Sequence, residues 1–250
     1  MAFFDIDYYS AVLGMNTKVS CILPNNGRTN IPVLYLLHGV GGDYTSWSRF
    51  TALESYVDKM NLAVIMPQTS AGAYTNTTYH MNYWTYLSDE LPKTVQNFFP
   101  QLSKEKEKNY AGGQSLGGYG AFKLGFGTDN YGAIISLSGA VHSMDQLGEE
   151  IFQFAPKAFW TGIFGNLDEL PGSENDIYAL AEKKLTAGFD FPDIYLACGT
   201  EDPFFPANQK AVELLKPYGI NVQLRATSGG HDWLYWNQEI KQALAWLSER

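Results

Sequence analysis

Two hydrophobic periods alternate along the chain. Short apolar runs rich in β-branched and aromatic residues, at Lys18–Leu23, Val33–Leu37, Ala63–Met66, Lys108–Ala111, Ala133–Leu137, Asp193–Ala197 and Asn221–Ala226, read as strands. Most of these runs are continuous rather than alternating, which is the pattern of strands buried on both faces. Between them a helical period is clearest over Trp47–Met60, Tyr83–Phe99, Asp176–Leu185, Ala207–Leu215 and Trp233–Leu247. Repeated strand-then-helix order predicts an α/β fold with a mostly parallel central sheet and helices on both faces. The longest stretch without a strand signal, Gly139–Pro192, carries Phe152, Phe154, Phe159, Trp160 and Phe164. It reads either as a small cap or insertion around residues 140–175 or as aromatic cover on the core. No repeat or low-complexity linker divides the chain, so one domain over residues 1–250 is expected.

Composition narrows the function classes. The formal charge of −9, with no compensating basic stretch, disfavours nucleic acid and anionic membranes as partners. The Lys104–Lys108 run alternates Lys and Glu and reads as a solvated connection. No segment approaches the roughly 18 apolar residues of a membrane span. Acidic residues interrupt Met1–Asp7 where a signal peptide would be apolar, and a cytoplasmic protein is expected. Cys21 and Cys198 lie inside apolar runs and read as reduced core thiols. No His or Cys cluster has metal-ligand spacing, so no metal is expected.

The chemistry concentrates at strand ends. Gly113-Gln114-Ser115-Leu116-Gly117 follows a predicted strand and opens a helical stretch, the setting in which a serine sits on a strained strand-to-helix elbow with its hydroxyl above the sheet. A serine hydroxyl is a weak nucleophile at neutral pH and needs an imidazole base oriented by a carboxylate. His231 stands in the loop Ser228-Gly229-Gly230-His231-Asp232-Trp233 after the last predicted strand. The run Gly199-Thr200-Glu201-Asp202-Pro203 follows the preceding one, offering Asp202 and, in reserve, Glu201. The order Ser115, Asp202, His231 is the one this elbow architecture uses. An oxyanion needs two backbone N–H donors. Leu116 supplies one by position, and the glycine-rich turn His38-Gly39-Val40-Gly41-Gly42 offers Val40 as the other, with Gly39 or Gly41 as alternatives. Gly39, Gly41, Trp47 and Trp233 are read as candidate substrate-binding residues, the aromatics walling a pocket or packing in the core.

Taken together, Met1-Ala2-Phe3-Phe4 and Tyr9-Ser10, Leu37-His38-Gly39 with Trp47, Glu90-Leu91-Pro92, Gly112 to Ala121, Cys198 to Asp202 and Gly229 to Trp233 with Trp236 resemble the tributyrin esterase branch of the esterase D group. That group includes S-formylglutathione hydrolases, acetyl and feruloyl esterases and mycolyltransferase antigens. The resemblance spans nearly the whole chain and implies an α/β-hydrolase fold and a Ser115, Asp202, His231 triad. It further implies a homo-oligomer (dimer or tetramer) and hydrolysis of short acyl esters, acetyl to butyryl, without a cofactor. A thioesterase of the S-formylglutathione hydrolase kind, a feruloyl esterase and a non-catalytic binding protein on the same fold are the competing expectations. The stretch Tyr79–Tyr86 departs from the group's pattern in carrying Asn82 and Trp84.

Overall fold

A computed structural model describes residues 1–142, 155–220 and 222–250. Among these, eight strands form one sheet: β1 Ala2–Ser10, β2 Met15–Leu23, β3 Val33–Leu37, β4 Ala63–Pro67, β5 Asn109–Gln114, β6 Ala133–Leu137, β7 Asp193–Gly199 and β8 Leu224–Thr227. Their spatial order is β1-β2-β4-β3-β5-β6-β7-β8. The β1–β2 and β2–β4 pairs are antiparallel, and every pair from β4–β3 to β7–β8 is parallel. The described helices are α1 Ser46–Phe50, α2 Leu53–Val57, α3 Tyr83–Thr85, α4 Leu91–Phe98, α5 Leu116–Gly127, α6 Lys157–Phe164, α7 Ile177–Thr186, α8 Phe205–Leu215 and α9 Trp233–Ser248.

Because successive strand residues point to opposite faces, the fully buried β3 feeds two cores. Val33, Tyr35 and Leu37 join the side chains of α4, α5, α7 and α8 on one face. Leu34 and Leu36 join Leu53, Val57, Trp236, Ile240 and Leu244 from α2 and α9 on the other. The continuous apolar runs therefore reflect burial from both sides, as the pattern predicted.

Three departures have local causes. The predicted helix Trp47–Met60 is broken at Thr51, which is extended. Asn237 of α9 accepts the Ala52 N–H at 2.9 Å, and the Thr51 hydroxyl accepts the Leu53 N–H at 3.2 Å, so a tertiary contact takes a donor the helix would have used. The predicted helix Tyr83–Phe99 passes through a π-helical turn at Tyr86–Glu90. That wider turn lies where the Pro92 ring would otherwise meet a carbonyl one turn earlier. Strand β1 was not anticipated: it is an edge strand with mostly exposed residues and shows no strong apolar signal.

The predicted insertion lies partly outside the described residues, as do Phe152 and Phe154. Its described part includes α6, whose Trp160 and Ile163 are buried beside Ala73, with Leu116, Phe159 and Phe164 packed around them.

Candidate active site

Four loops at the carboxyl ends of β3, β5, β7 and β8 converge here, and the sheet fixes their order. Ser115 follows β5 directly and sits in a backbone conformation, φ 54°, that side chains rarely adopt. The surroundings hold it there. Its N–H donates to Leu137 O at 3.0 Å, and its carbonyl accepts the N–H groups of Gly118 and Ala140, both at 3.0 Å. The turn is possible only because its flanks lack side chains: a Cβ on Gly117 would lie 2.4 Å from Leu37 O, and one on Gly113 would lie 2.4 Å from the Gly117 backbone.

The three sequence-selected side chains meet. His231 Nε2 lies 2.9 Å from Ser115 Oγ, and His231 Nδ1 lies 2.9 and 3.0 Å from the two carboxylate oxygens of Asp202. Burial works to raise the Asp202 pKa. The hydrogen bonds from His231 and from the Phe204 N–H outweigh it and hold the carboxyl below the ordinary carboxylate range. An ionised carboxylate only accepts, so Nδ1 carries the proton and donates to Asp202. Nε2 is then the acceptor, and the Ser115 hydroxyl donates to it. The imidazole is packed edge-on between Phe204 and Trp236, with ring centroids at 4.8 and 4.9 Å.

Glu201, the reserve acid, points elsewhere. Its carboxylate accepts the Gly229 N–H and the Ser228 hydroxyl, while its own N–H donates to Gly229 O at 3.1 Å. It fastens the histidine loop to the loop after β7 instead of contacting the imidazole.

Leu116 is the first residue of α5, so its N–H has no carbonyl one turn earlier to bond. Across from it, Gly39–Gly42 forms a turn closed by Gly42 N–H on Gly39 O at 3.1 Å, with Gly41 at φ 72°. Val40 occupies the second position of this turn, and its N–H lies outside the closing bond. His38 is buried beneath: its Nδ1 meets Gly39 O at 2.8 Å, and its Nε2 meets the N–H and hydroxyl of Thr69 at 3.3 and 3.0 Å. Burial lowers the His38 pKa below the ordinary imidazole range, keeping it a neutral support for the turn.

A cavity of about 570 Å³ opens beside Ser115 and His231, lined by Val40, Gly41, Arg49, Phe50, Trp233 and Trp236 among others. Trp233 belongs to this wall, stacked on Phe50 at 5.0 Å. Trp47 does not. It is 1% exposed, gives its indole N–H to Leu37 O at 2.9 Å and backs Trp233 from the core. The expectation that it touches substrate is therefore corrected, because a tryptophan reads the same in sequence whether it faces a pocket or supports one. Gly39 likewise faces inward, where a Cβ would meet the Gln114 side chain at 2.6 Å. Phe204, Phe50 and Arg49 were not anticipated. The position of Phe204 two residues after Asp202 was the one available signal. Among the described residues no group of three or more His, Cys, Asp or Glu is placed to hold a metal ion, and no helix is long and apolar enough to cross a membrane.

The model of a family described as putative esterase matches residues 10–247. The chain belongs to this esterase family. It is 32% identical to an acetyl esterase of Caldicellulosiruptor saccharolyticus over 264 aligned positions, spanning 100% of this chain and 99% of the relative. Among solved structures it superimposes on FphF, a fluorophosphonate-binding serine hydrolase of Staphylococcus aureus, with a TM-score of 0.90, 30% identity and 98% of each chain covered. The S-formylglutathione hydrolase FrmB of the same organism gives 0.87, again with 30% identity and 98% of each chain covered. The esterase thus has the α/β-hydrolase fold and belongs to the esterase D-like group that its motifs resembled.

Proposed function

We propose that this esterase cleaves short-chain acyl esters, acetyl to butyryl, of small or carbohydrate alcohols through a Ser115, His231, Asp202 triad. The reading is carried by the unbroken hydrogen-bonded series from Ser115 Oγ through His231 to Asp202, opening on the cavity lined by Trp233 and Phe50. His231 Nε2 takes the Ser115 proton as Oγ attacks the ester carbonyl, and the carbonyl electron pair moves to oxygen. The N–H groups of Leu116 and Val40 stabilise that oxyanion, and Asp202 holds the imidazolium. Collapse breaks the bond to the alcohol, which leaves with the proton from His231. Water then attacks the acyl-Ser115, giving its proton to the same imidazole, and the acid departs.

The acetyl esterase relative supports a small acyl group. The S-formylglutathione hydrolase neighbour favours a second reading, a thioesterase working by the same steps. A series of p-nitrophenyl acetate, butyrate, octanoate and laurate, run beside acetylated and feruloylated sugars and S-formylglutathione, separates them. Highest kcat/KM for acetate or butyrate is expected. A preference for the two long chains overturns the proposal, and faster thioester turnover selects the second reading. Ser115→Ala should abolish turnover while the protein stays folded.

A cytoplasmic homo-oligomer, dimer or tetramer, is part of the same reading. Support comes from two buried free thiols and from the exposed Phe3, Phe4 and Tyr9 on the edge strand β1. Size-exclusion chromatography with light scattering tests the assembly; a monomer at micromolar concentration refutes it.

A further inference from the structure

Lys123 lies two turns along α5 from Ser115 and is fully buried, yet its ammonium goes to uncharged acceptors. Nζ donates to Tyr74 O at 3.1 Å and to Asn175 Oδ1 at 2.6 Å, and sits 4.8 Å from the centre of the Trp84 ring. Burial lowers its pKa to about 7, with Glu174 acting in the opposite direction. Burying a lysine without an ion-pairing hydrogen bond is costly, and such a group is kept where its donors hold something in place.

What it holds is a strained loop. Ser70, Ala73 and Tyr74 all have positive φ, 46°, 45° and 56°. Non-glycine residues in that region persist only where several contacts determine them. Here Thr75 gives its hydroxyl to Asn175 Oδ1 at 2.6 Å, beside Lys123, and the Tyr74 ring lies against the bare face of Gly120 on α5. The Tyr74 hydroxyl then donates to His38 O, the carbonyl that enters the turn bearing Val40. A continuous brace therefore runs from α5 through Lys123, Tyr74 and His38 to the turn after β3. Leu116 is at the head of the same α5.

We propose that Lys123 is a positioning residue of the ester cleavage, fixing through Tyr74 and His38 the separation between the Leu116 and Val40 N–H donors. The inference rests on the oxyanion assignment made above. Neither protonation state of the amine breaks the brace, since even a neutral amine carries two hydrogens for its two oxygen acceptors. The role is geometric: a donor displaced by a fraction of an ångström loses much of its hold on the oxyanion while ground-state binding is little changed.

The test uses Lys123→Met and Tyr74→Phe, the latter removing only the hydroxyl that reaches His38. For each, kcat and KM on p-nitrophenyl acetate are measured together with the Ki of a short alkyl trifluoromethyl ketone, whose adduct with a serine places an oxyanion in the hole. Both variants should lose about 10- to 100-fold in kcat with KM within about threefold, and Ki should weaken in parallel with kcat/KM. A purely structural lysine would lower the melting temperature and leave kcat and Ki of the folded enzyme alone, which overturns the proposal. An effect confined to KM also overturns it. If Lys123→Met does not fold, Tyr74→Phe decides. Ser115→Ala distinguishes the two levels: if it retains turnover, the active-site reading fails. If it is inactive while Tyr74→Phe matches wild type in kcat and Ki, only the brace fails.

Discussion

Asp202→Asn isolates what the buried carboxylate does, and its effect follows from which atoms face which. One oxygen accepts the Phe204 N–H at 2.8 Å and lies 3.0 Å from His231 Nδ1, and the other lies 2.9 Å from the same nitrogen. In the variant the amide oxygen must stay on the Phe204 N–H, because the opposite orientation buries two donors face to face at a cost of about 1–3 kcal/mol. The NH2 then faces Nδ1 at the closer position, 2.9 Å, which favours an accepting Nδ1 over one that donates to the amide oxygen. The imidazole proton moves to Nε2, 2.9 Å from Ser115 Oγ, where a base is required and a donor is useless. That bias leaves between about a sixth and less than a hundredth of molecules in the productive tautomer. The neutral amide also no longer stabilises the imidazolium. Together a loss on the order of 10³ to 10⁴ in kcat is expected, about 4–5.5 kcal/mol of transition-state stabilisation, with the fold intact because the substitution is isosteric. Hydrolysis of p-nitrophenyl acetate and the rate of fluorophosphonate labelling both report it. Glu201→Gln is the control: it keeps an acceptor for the Gly229 N–H and should remain within about threefold of wild type. Asp202→Asn within tenfold of wild type, or Glu201→Gln losing as much, would refute the assignment of the acid.

Three further outcomes are expected. Gly117→Ala puts a methyl group 2.4 Å from Leu37 O and 2.7 Å from His38 O, both backbone atoms, so the elbow or β3 must move. A loss of about 3 kcal/mol or more, roughly 6–12 °C in a melt, should follow, and an unchanged Tm would show that the elbow is not crowded. Lys123 is protonated in the unfolded chain up to about pH 10.5 but has a folded pKa of about 7. Between those values the unfolded state binds the extra proton, so this group makes stability rise with pH. The neighbouring Tyr74 and Tyr119 are pushed upward by burial and stay neutral in that window, leaving Glu174 as the facing charge. Wild type should therefore gain Tm relative to Lys123→Met from pH 7 to 9.5, whereas parallel curves would contradict the burial argument. Burial pushes the Cys21 and Cys198 thiols up to about 12. Neither should react with a disulfide reagent at pH 8 until the protein unfolds, and prompt native-state labelling would be the contrary result.

How much of this was legible depended on whether one element or several decide a position. The strands between Val33 and Leu37 and between Ala133 and Leu137 were read to the residue because burial on both faces leaves a continuous apolar run. Strand β5 was read short, since Gly112 and Gly113 carry no strand preference; their place is fixed by pairing with Leu36 and Leu37. Ser115, Asp202 and His231 were found because each follows a strand end, and the structure brings their side chains into hydrogen-bond contact. The choice between Glu201 and Asp202 was open because adjacent residues in a turn diverge. The break at Thr51 depends on Asn237, a contact 185 residues away from Ala52 that no local pattern contains.

The same division bears on how the site responds to change. The strained conformation of Ser115 is maintained by the Leu137 carbonyl of β6, the Ala140 N–H beyond it and the glycine-walled contact with Leu37, all set by the register of β3, β5 and β6. Those groups act on the proposed nucleophile and on the Leu116 N–H proposed as an oxyanion donor, so damage to them should appear in kcat. Arg49, Phe50, Trp233 and Val40 line the cavity from a loop and from helix ends that no strand pairing constrains. Side chains there can be exchanged without moving the elbow, and their effect belongs in KM and in the choice of alcohol. On the proposed mechanism the chemistry is tied to sheet register, while the choice of ester falls to the rim. This explains why sequence motifs at strand ends pointed to the reaction and left its substrate open.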